Sequence, residues 1–151
     1  MLHIYTDGSS RGNPGPGGWS VVVCDENDNF LYAIYGKDEN CTNNQMELTA
    51  IKQALANIDT ENSIIFSDSA YCVNLCNEWM YSWARNNWRR PGNQEVKNLD
   101  LIKSIYAMRN KEFRPCSIKK VKGHNGTIGN ELADAFACGN IQKIEKLLKP
   151  R

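Results

Sequence analysis

Two short stretches of this chain can each deliver a carboxylate to the edge of a sheet. Leu2-His3-Ile4-Tyr5-Thr6-Asp7 alternates apolar and polar residues in a β-rich composition, and Gly8-Ser9 is expected to stop it. Ser63-Ile64-Ile65-Phe66-Ser67-Asp68 is a short, continuous apolar run of the kind found in central strands covered on both faces. If the two lie parallel and adjacent, Asp7 and Asp68 meet at the carboxyl ends of neighbouring strands, where open α/β sheets place their sites. Carboxylates held together repel one another, so such a pair holds a proton or a divalent cation.

The intervening sequence must bring those strands together. Arg11-Gly12-Asn13-Pro14-Gly15-Pro16-Gly17-Gly18 lacks the Gly-Lys-Ser/Thr ending of a phosphate loop and is followed by an apolar strand, so it reads as a turn. Strands are expected over 19–24 and 30–35, joined by the polar hairpin 25–29 and antiparallel to their neighbours. A helix opens at Thr42-Asn43-Asn44 and runs to about Ile58, with Leu48, Ile51, Leu55 and Ile58 at helical spacing. Glu47 borders its buried face; alternatively it closes a capping box with Asn44. A strand–helix–strand unit of this kind makes the first and fourth strands parallel neighbours. Residues 70–108 read as helical, interrupted by an insert in which Trp79, Trp83 and Trp88 stand among Arg85, Arg89, Arg90 and Lys97. With few aliphatic partners for the tryptophans, this reads as an exposed basic–aromatic lobe suited to a nucleic-acid backbone. A fifth strand, 116–121, precedes a loop containing His124. In the helix from about Gly129 to Cys138, Asp134 lies among Ala133, Ala135 and Ala137, small enough for close approach to the sheet. Gly139 ends that helix, and Ile141, Ile144, Leu147 and Leu148 of a last segment are expected to pack back on the domain.

Length and composition suit one domain, 1–151, with a protrusion at about 77–98. The net charge of +1 conceals an uneven distribution: residues 25–39 hold five acids and one Lys, whereas 109–122 hold six basic residues and one acid. Such a basic side is a footprint for polyanions. The six cysteines lack zinc-ligand spacing, and with the first strand expected from Leu2 no secretory signal is expected ahead of it. Reduced thiols in a cytoplasmic setting follow, and no apolar run reaches membrane-spanning length.

Taken in order, Thr-Asp-Gly-Ser (6–9), Gly-Asn-Pro-Gly-Pro-Gly-Gly (12–18), Thr-Asn-Asn-Gln-Met-Glu-Leu (42–48), Ser-Asp-Ser (67–69), Val-Lys-Gly-His (121–124) and Asn-Glu-Leu-Ala-Asp (130–134) resemble a type 1 ribonuclease H across essentially the whole chain. Each motif is weak alone; six in sequence are specific. The resemblance implies an α/β, ribonuclease H-like fold. Its sheet is five-stranded and mixed, in the order 3-2-1-4-5, with strands 1–3 antiparallel and helices on both faces. It also implies endonucleolytic hydrolysis of the RNA strand of RNA–DNA hybrids, leaving 5′-phosphate and 3′-hydroxyl ends. Carried over by motif, the metal-binding carboxylates are Asp7, Glu47, Asp68 and Asp134, with His124 assisting proton transfer or product release.

The residue types suit that chemistry. Attack of water on a phosphodiester needs an activated nucleophile and a stabilised leaving oxygen, and two divalent ions about 3.5–4 Å apart supply both. Mg²⁺ prefers hard oxygen ligands, with Mn²⁺ able to substitute. Asp7 is expected to bridge the two ions. By the same resemblance, Asn13, Asn43 and Asn44 line the minor groove of the hybrid, and Thr42 and Asn98 form a pocket for a DNA-strand phosphate. Trp79, Trp83, Arg85, Arg89 and Arg90 hold the DNA backbone. Ala70 departs from the pattern, since many relatives carry a longer polar residue that contacts the substrate. Expected partners are the hybrid alone, with no membrane and a monomeric chain. Rival readings are a non-catalytic hybrid-binding module, a domain of a reverse transcriptase, and a junction resolvase. The full carboxylate set argues against the first, the chain's own basic lobe against the second, and the Thr-Asn-Asn and Trp/Arg elements against the third.

Overall fold

The structure, a computed structural model, describes residues 1–110, 116–121 and 127–149. Its main sheet is built from β1 (Leu2–Ser10), β2 (Gly15–Cys24), β3 (Phe30–Cys41), β4 (Ser63–Ser67) and β7 (Ser117–Lys120). They lie in the order β3-β2-β1-β4-β7, with β1–β3 antiparallel and β4 and β7 parallel to β1 and to each other, respectively. This is the topology expected from the sequence, and helices cover both faces.

Alternation along the strands divides the core. Ile4, Val21 and Val23 face α1 (Asn43–Asn57) and α4 (Leu99–Asn110), whose Leu48, Ile51, Leu55, Ile102 and Ile105 are fully buried. Tyr5 and Val22 turn to the opposite face and pack on Leu132 and Ala133 of α5 (Ile128–Cys138). On β1, therefore, even-numbered residues look toward α1 and odd-numbered ones toward α5. Asp7 belongs to the second set.

Several boundaries differ from those read in the sequence. Gly8 and Ser9 do not end β1: its pairing with β2 continues to Ser10↔Gly17, because the glycine run of β2 offers no side chains to obstruct it. Pairing of β1 with β4 does stop, at Thr6↔Ser67, immediately before the two aspartates. The cap of α1 is Thr42, whose hydroxyl accepts from Gln45 N–H while the Gln45 side chain reaches back, so Glu47 takes no part in the capping box.

Residues 70–85 form one continuous helical stretch, α2 (Ala70–Asn74), a π-helical turn (Leu75–Trp79) and α3 (Met80–Arg85), followed by a small ribbon of β5 (Arg89–Arg90) and β6 (Gln94–Glu95). The tryptophans here are half-buried, not exposed. Trp88 stands edge-on to Tyr106 of α4, with ring centroids 5.2 Å apart, and pins the lobe to the core. Nor does α6 (Ile141–Leu148) bury its whole apolar side: Leu147 packs on the α5-side core, while Ile141 is 67% exposed and Leu148 40%. Among the described residues, no helix is long and apolar enough to cross a membrane. All six cysteines carry free thiols.

Candidate active site and nucleic-acid groove

Asp7 follows the last residue of β1 that pairs with β4, and Asp68 follows the last residue of β4. Asp68 is also held from the other side. Ser69 N–H donates to the Ser67 hydroxyl at 3.1 Å, and the Ser69 hydroxyl caps α2 by accepting from Cys72 N–H at 3.2 Å. Glu47 arrives from above the sheet. Gly8 makes this possible: a Cβ there would stand 2.2 Å from the Met46 carbonyl carbon and 2.3 Å from Glu47 N. With no side chain at Gly8, α1 sits directly on β1, and Glu47 reaches past the strand to Asp7.

The result is a cluster of three carboxylates, Asp7, Glu47 and Asp68, offering oxygens that all lie within 4.8 Å of one another. Asp7 and Glu47 are buried and Asp68 is exposed. Burial pushes the Asp7 carboxyl well above the usual carboxylate range, and the charges of Asp68 and Asp134 add to this. The hydrogen bond with Glu47 and the 2.8 Å bond from Gly8 N–H pull in the other direction without winning. Glu47 is raised further still, first by burial and then by the Asp7 charge. Its Oε2 is buried and has no hydrogen-bond partner. A buried acceptor in that position costs free energy until a cation or donor meets it. Hard oxygen donors, mutual repulsion and an orphaned oxygen together fit a divalent cation.

Asp134 is not part of this cluster. Its side chain is 52% exposed, and Lys143 Nζ lies 3.3 Å from its Oδ2. His124 falls outside the described residues.

Two adjoining cavities border the first turn of α1, the helix that also carries Glu47. One, of about 540 Å³, is lined by Asn13, Thr42, Asn43, Asn44, Lys97 and Asn98. Asn43 Oδ1 accepts from Ser10 N–H at 2.7 Å, and Asn13 Oδ1 accepts from Asn43 N–H at 3.1 Å. With the oxygens committed to the protein, the amide N–H₂ groups are the ends left to donate. Thr42 is placed likewise: its oxygen accepts from Gln45 N–H, leaving its O–H as a donor. The second cavity, of about 570 Å³, is lined by Asn44, Tyr71, Trp79, Ser82, Trp83, Arg90, Pro91 and Lys97. Trp79 packs edge-on to Tyr71 at 5.6 Å and lies 6.3 Å from Trp83. Asn44 and Lys97 line both cavities, so they form one groove. Arg85 and Arg89 line neither; Arg89 is paired with Glu95 at 3.8 Å.

This geometry meets its counterpart in known proteins. The RNase H family model matches residues 1–142. The chain belongs to the ribonuclease H family. A ribonuclease H of Orientia tsutsugamushi is 38% identical over 149 residues, covering 98% of this chain and 86% of that protein. Among solved structures, LC9-RNase H1, a type 1 RNase H with the type 2 active-site motif, superposes with a TM-score of 0.74 at 26% identity over 90% of this chain and 69% of its own. LC11-RNase H1 in complex with an RNA/DNA hybrid shares the fold at a TM-score of 0.69 and 22% identity, over 99% of this chain and 100% of that one. Membership in this family of endoribonucleases makes the chain an enzyme. Two basic residues meet expected site residues in space without being expected there from the sequence. Lys97 was noted only as part of the basic lobe, although its place next to Asn98 was a signal. Lys143 gave none, because its meeting with Asp134 depends on the turn at Gly139.

Proposed function

We propose that this ribonuclease H hydrolyses the RNA strand of RNA–DNA hybrids endonucleolytically, with divalent metal held by Asp7, Glu47 and Asp68 and completed by Asp134. The observation that carries the reading is the three-carboxylate cluster with its orphaned Glu47 oxygen, on the same helix as the donors that line the groove. Mg²⁺, or Mn²⁺ in its place, would supply activation of water and stabilisation of the leaving 3′-oxygen when bound as a pair. The chain's own residues do the positioning. Rigid β1 and β4 fix Asp7 and Asp68, while α1 presses Glu47 into the same space. The amide groups of Asn13, Asn43 and Asn44 donate to minor-groove acceptors and 2′-hydroxyls, by which RNA is told from DNA. Thr42, Asn98 and Lys97 receive a phosphate of the DNA strand, and Trp79, Trp83 and Arg90 bear on its backbone farther along. Arg85 and Arg89 contribute long-range charge, and His124 assists turnover. The hybrid bound to LC11-RNase H1 supports the same choice of substrate. A monomer acting in the cytoplasm is sufficient for this role.

The deciding experiment is cleavage of an end-labelled hybrid with and without Mg²⁺, with the same RNA as single strand and as RNA duplex for comparison. Wild type should cut the hybrid alone, leaving 5′-phosphate ends, and Asp68→Asn should lower the rate by at least about 10³-fold. Binding without cutting in either Mg²⁺ or Mn²⁺ would replace the enzyme with a binding module.

Lys97→Ala gives a second check, on the groove. Losing one phosphate contact should weaken hybrid binding about equally for all sequences, and should flatten the log K against log salt slope by roughly 0.7–0.9. Fluorescence anisotropy titrations in Ca²⁺ at several salt concentrations measure both. An unchanged slope would move the phosphate contact elsewhere.

A further inference from the structure

We infer that Lys143 is a positioning residue for the fourth carboxylate, a built-in cation that holds Asp134 aside until a divalent ion displaces it. The inference deepens the proposed function and rests on it. Both oxygens of Asp134 are engaged by the chain's own groups: Oδ2 by Lys143 Nζ at 3.3 Å, and Oδ1 by the Cys138 thiol at 3.9 Å. The Asp134 side chain is thus turned to partners on its own and the following helix, while Asp7, Glu47 and Asp68 converge without it.

The approach of Lys143 is built into the chain. Gly139, at φ +68°, ends α5 in the left-handed conformation, and its N–H closes on Ala135 and Phe136 carbonyls. Asn140 then caps α6 through its side-chain oxygen, which accepts from the Lys143 N–H itself at 3.1 Å. The cap fixes Lys143 in the first turn of α6, and Leu147 anchors the far end of that helix on the core. The ammonium therefore reaches Asp134 from a fixed backbone, nine residues on in sequence.

A monovalent cation held there has two effects on an arriving divalent ion. Asp134 must exchange Lys143 for metal, and the displaced ammonium stays close enough to repel it. At about 4–5 Å in a water-like dielectric, repulsion of a divalent ion by one ammonium alone is worth about 20-fold in affinity before screening. Partial exposure of both side chains, 39% and 52%, limits the total. Lys143→Met removes the charge and keeps the stem. Calorimetric titration of the substrate-free protein with Mn²⁺ should show an ion bound about 5- to 20-fold more tightly, and the metal concentration for half-maximal cleavage should fall in parallel. At saturating metal, kcat should stay within about twofold of wild type. Lys143→Arg should restore the wild-type affinity, and Lys146→Met, which alters net charge equally on the same helix, should leave it unchanged.

The proposal is overturned if Lys143→Met, melting as wild type does, binds Mn²⁺ no more tightly. It also fails if the tightening persists undiminished in an Asp134→Asn background, since the lysine would then act through general charge. Wild type that binds no divalent ion at all would remove the function reading and this inference together. Metal binding without the Lys143 effect removes only the latter.

Discussion

Replacing Asp7 with Asn is expected to abolish cleavage while making the metal-free protein more stable. The loss of activity, at least about 10³-fold, follows from removing the central charge of the cluster. The gain in stability follows from the same burial. Asn is nearly isosteric: its oxygen can still accept from Gly8 N–H, and its amino group can donate to Glu47. What disappears is the cost of a buried charge facing two other acids. Because burial raises the Asp7 and Glu47 carboxyls in the folded state, the unfolded chain releases these protons at lower pH than the folded one does. Above the ordinary carboxylate range near 4, the unfolded state therefore binds fewer protons, and stability falls as pH rises through the raised values. Wild type without metal should melt at lower temperature at pH 9 than at pH 5.5, more steeply than Asp7→Asn does. Millimolar Mg²⁺ should recover part of the difference for wild type only. At pH 8 without metal, a gain of about 1–2 kcal/mol, or roughly 3–6 °C in this size class, is expected. Calorimetric melting across pH measures it. A metal-free Asp7→Asn protein no more stable than wild type would mean that the cluster is not under charge strain.

What the sequence disclosed follows from what is local. Asp7 and Asp68 were legible because each ends a β-patterned run, and a strand–helix–strand unit leaves little choice about how the two runs lie. The sheet order followed from the same units. The misreadings involve contacts between segments whose meeting no local pattern announces. Trp88 has few aliphatic neighbours in sequence and looked exposed, yet α4 brings Tyr106 to it. Ile141 and Leu148 have the spacing of a packed helix face, but only Leu147 of that segment finds the core well enough to hold it. The meeting of Lys143 with Asp134 was hidden in the same way, since only the turn at Gly139 delivers it. The extension of β1 beyond Gly8 was hidden for another reason. A glycine normally reads as a stop, whereas here it marks the point where a helix must touch the strand.

Gly8 is accordingly where a single methyl group should do the most damage. In Gly8→Ala the new Cβ would lie 2.2 Å from the Met46 carbonyl carbon and 2.3 Å from Glu47 N, both backbone atoms of α1 that no rotamer change can move. Either the helix lifts or β1 bends. Leu48, Ile51 and Leu55 on the underside of α1 are fully buried, so lifting would open gaps across the α1-side core. Overpacking usually costs 1–3 kcal/mol, and here the obstruction is backbone, so about 3 kcal/mol or more is expected, a loss of roughly 10 °C in melting temperature. The effect on catalysis should exceed what lost stability explains. Glu47 is carried by the displaced turn, and a shift of about 1 Å in a positioning element costs on the order of 10²-fold in rate. Chemical denaturation gives the first quantity, and cleavage rates at a temperature where the variant remains folded give the second. Gly139→Ala serves as a contrast, since its Cβ would meet nothing within 4 Å and its cost comes only from the left-handed backbone. It should lose about 1 kcal/mol and keep most of its activity. If Gly8→Ala behaved the same way, the contact of α1 with β1 would not be what sets Glu47 against Asp7.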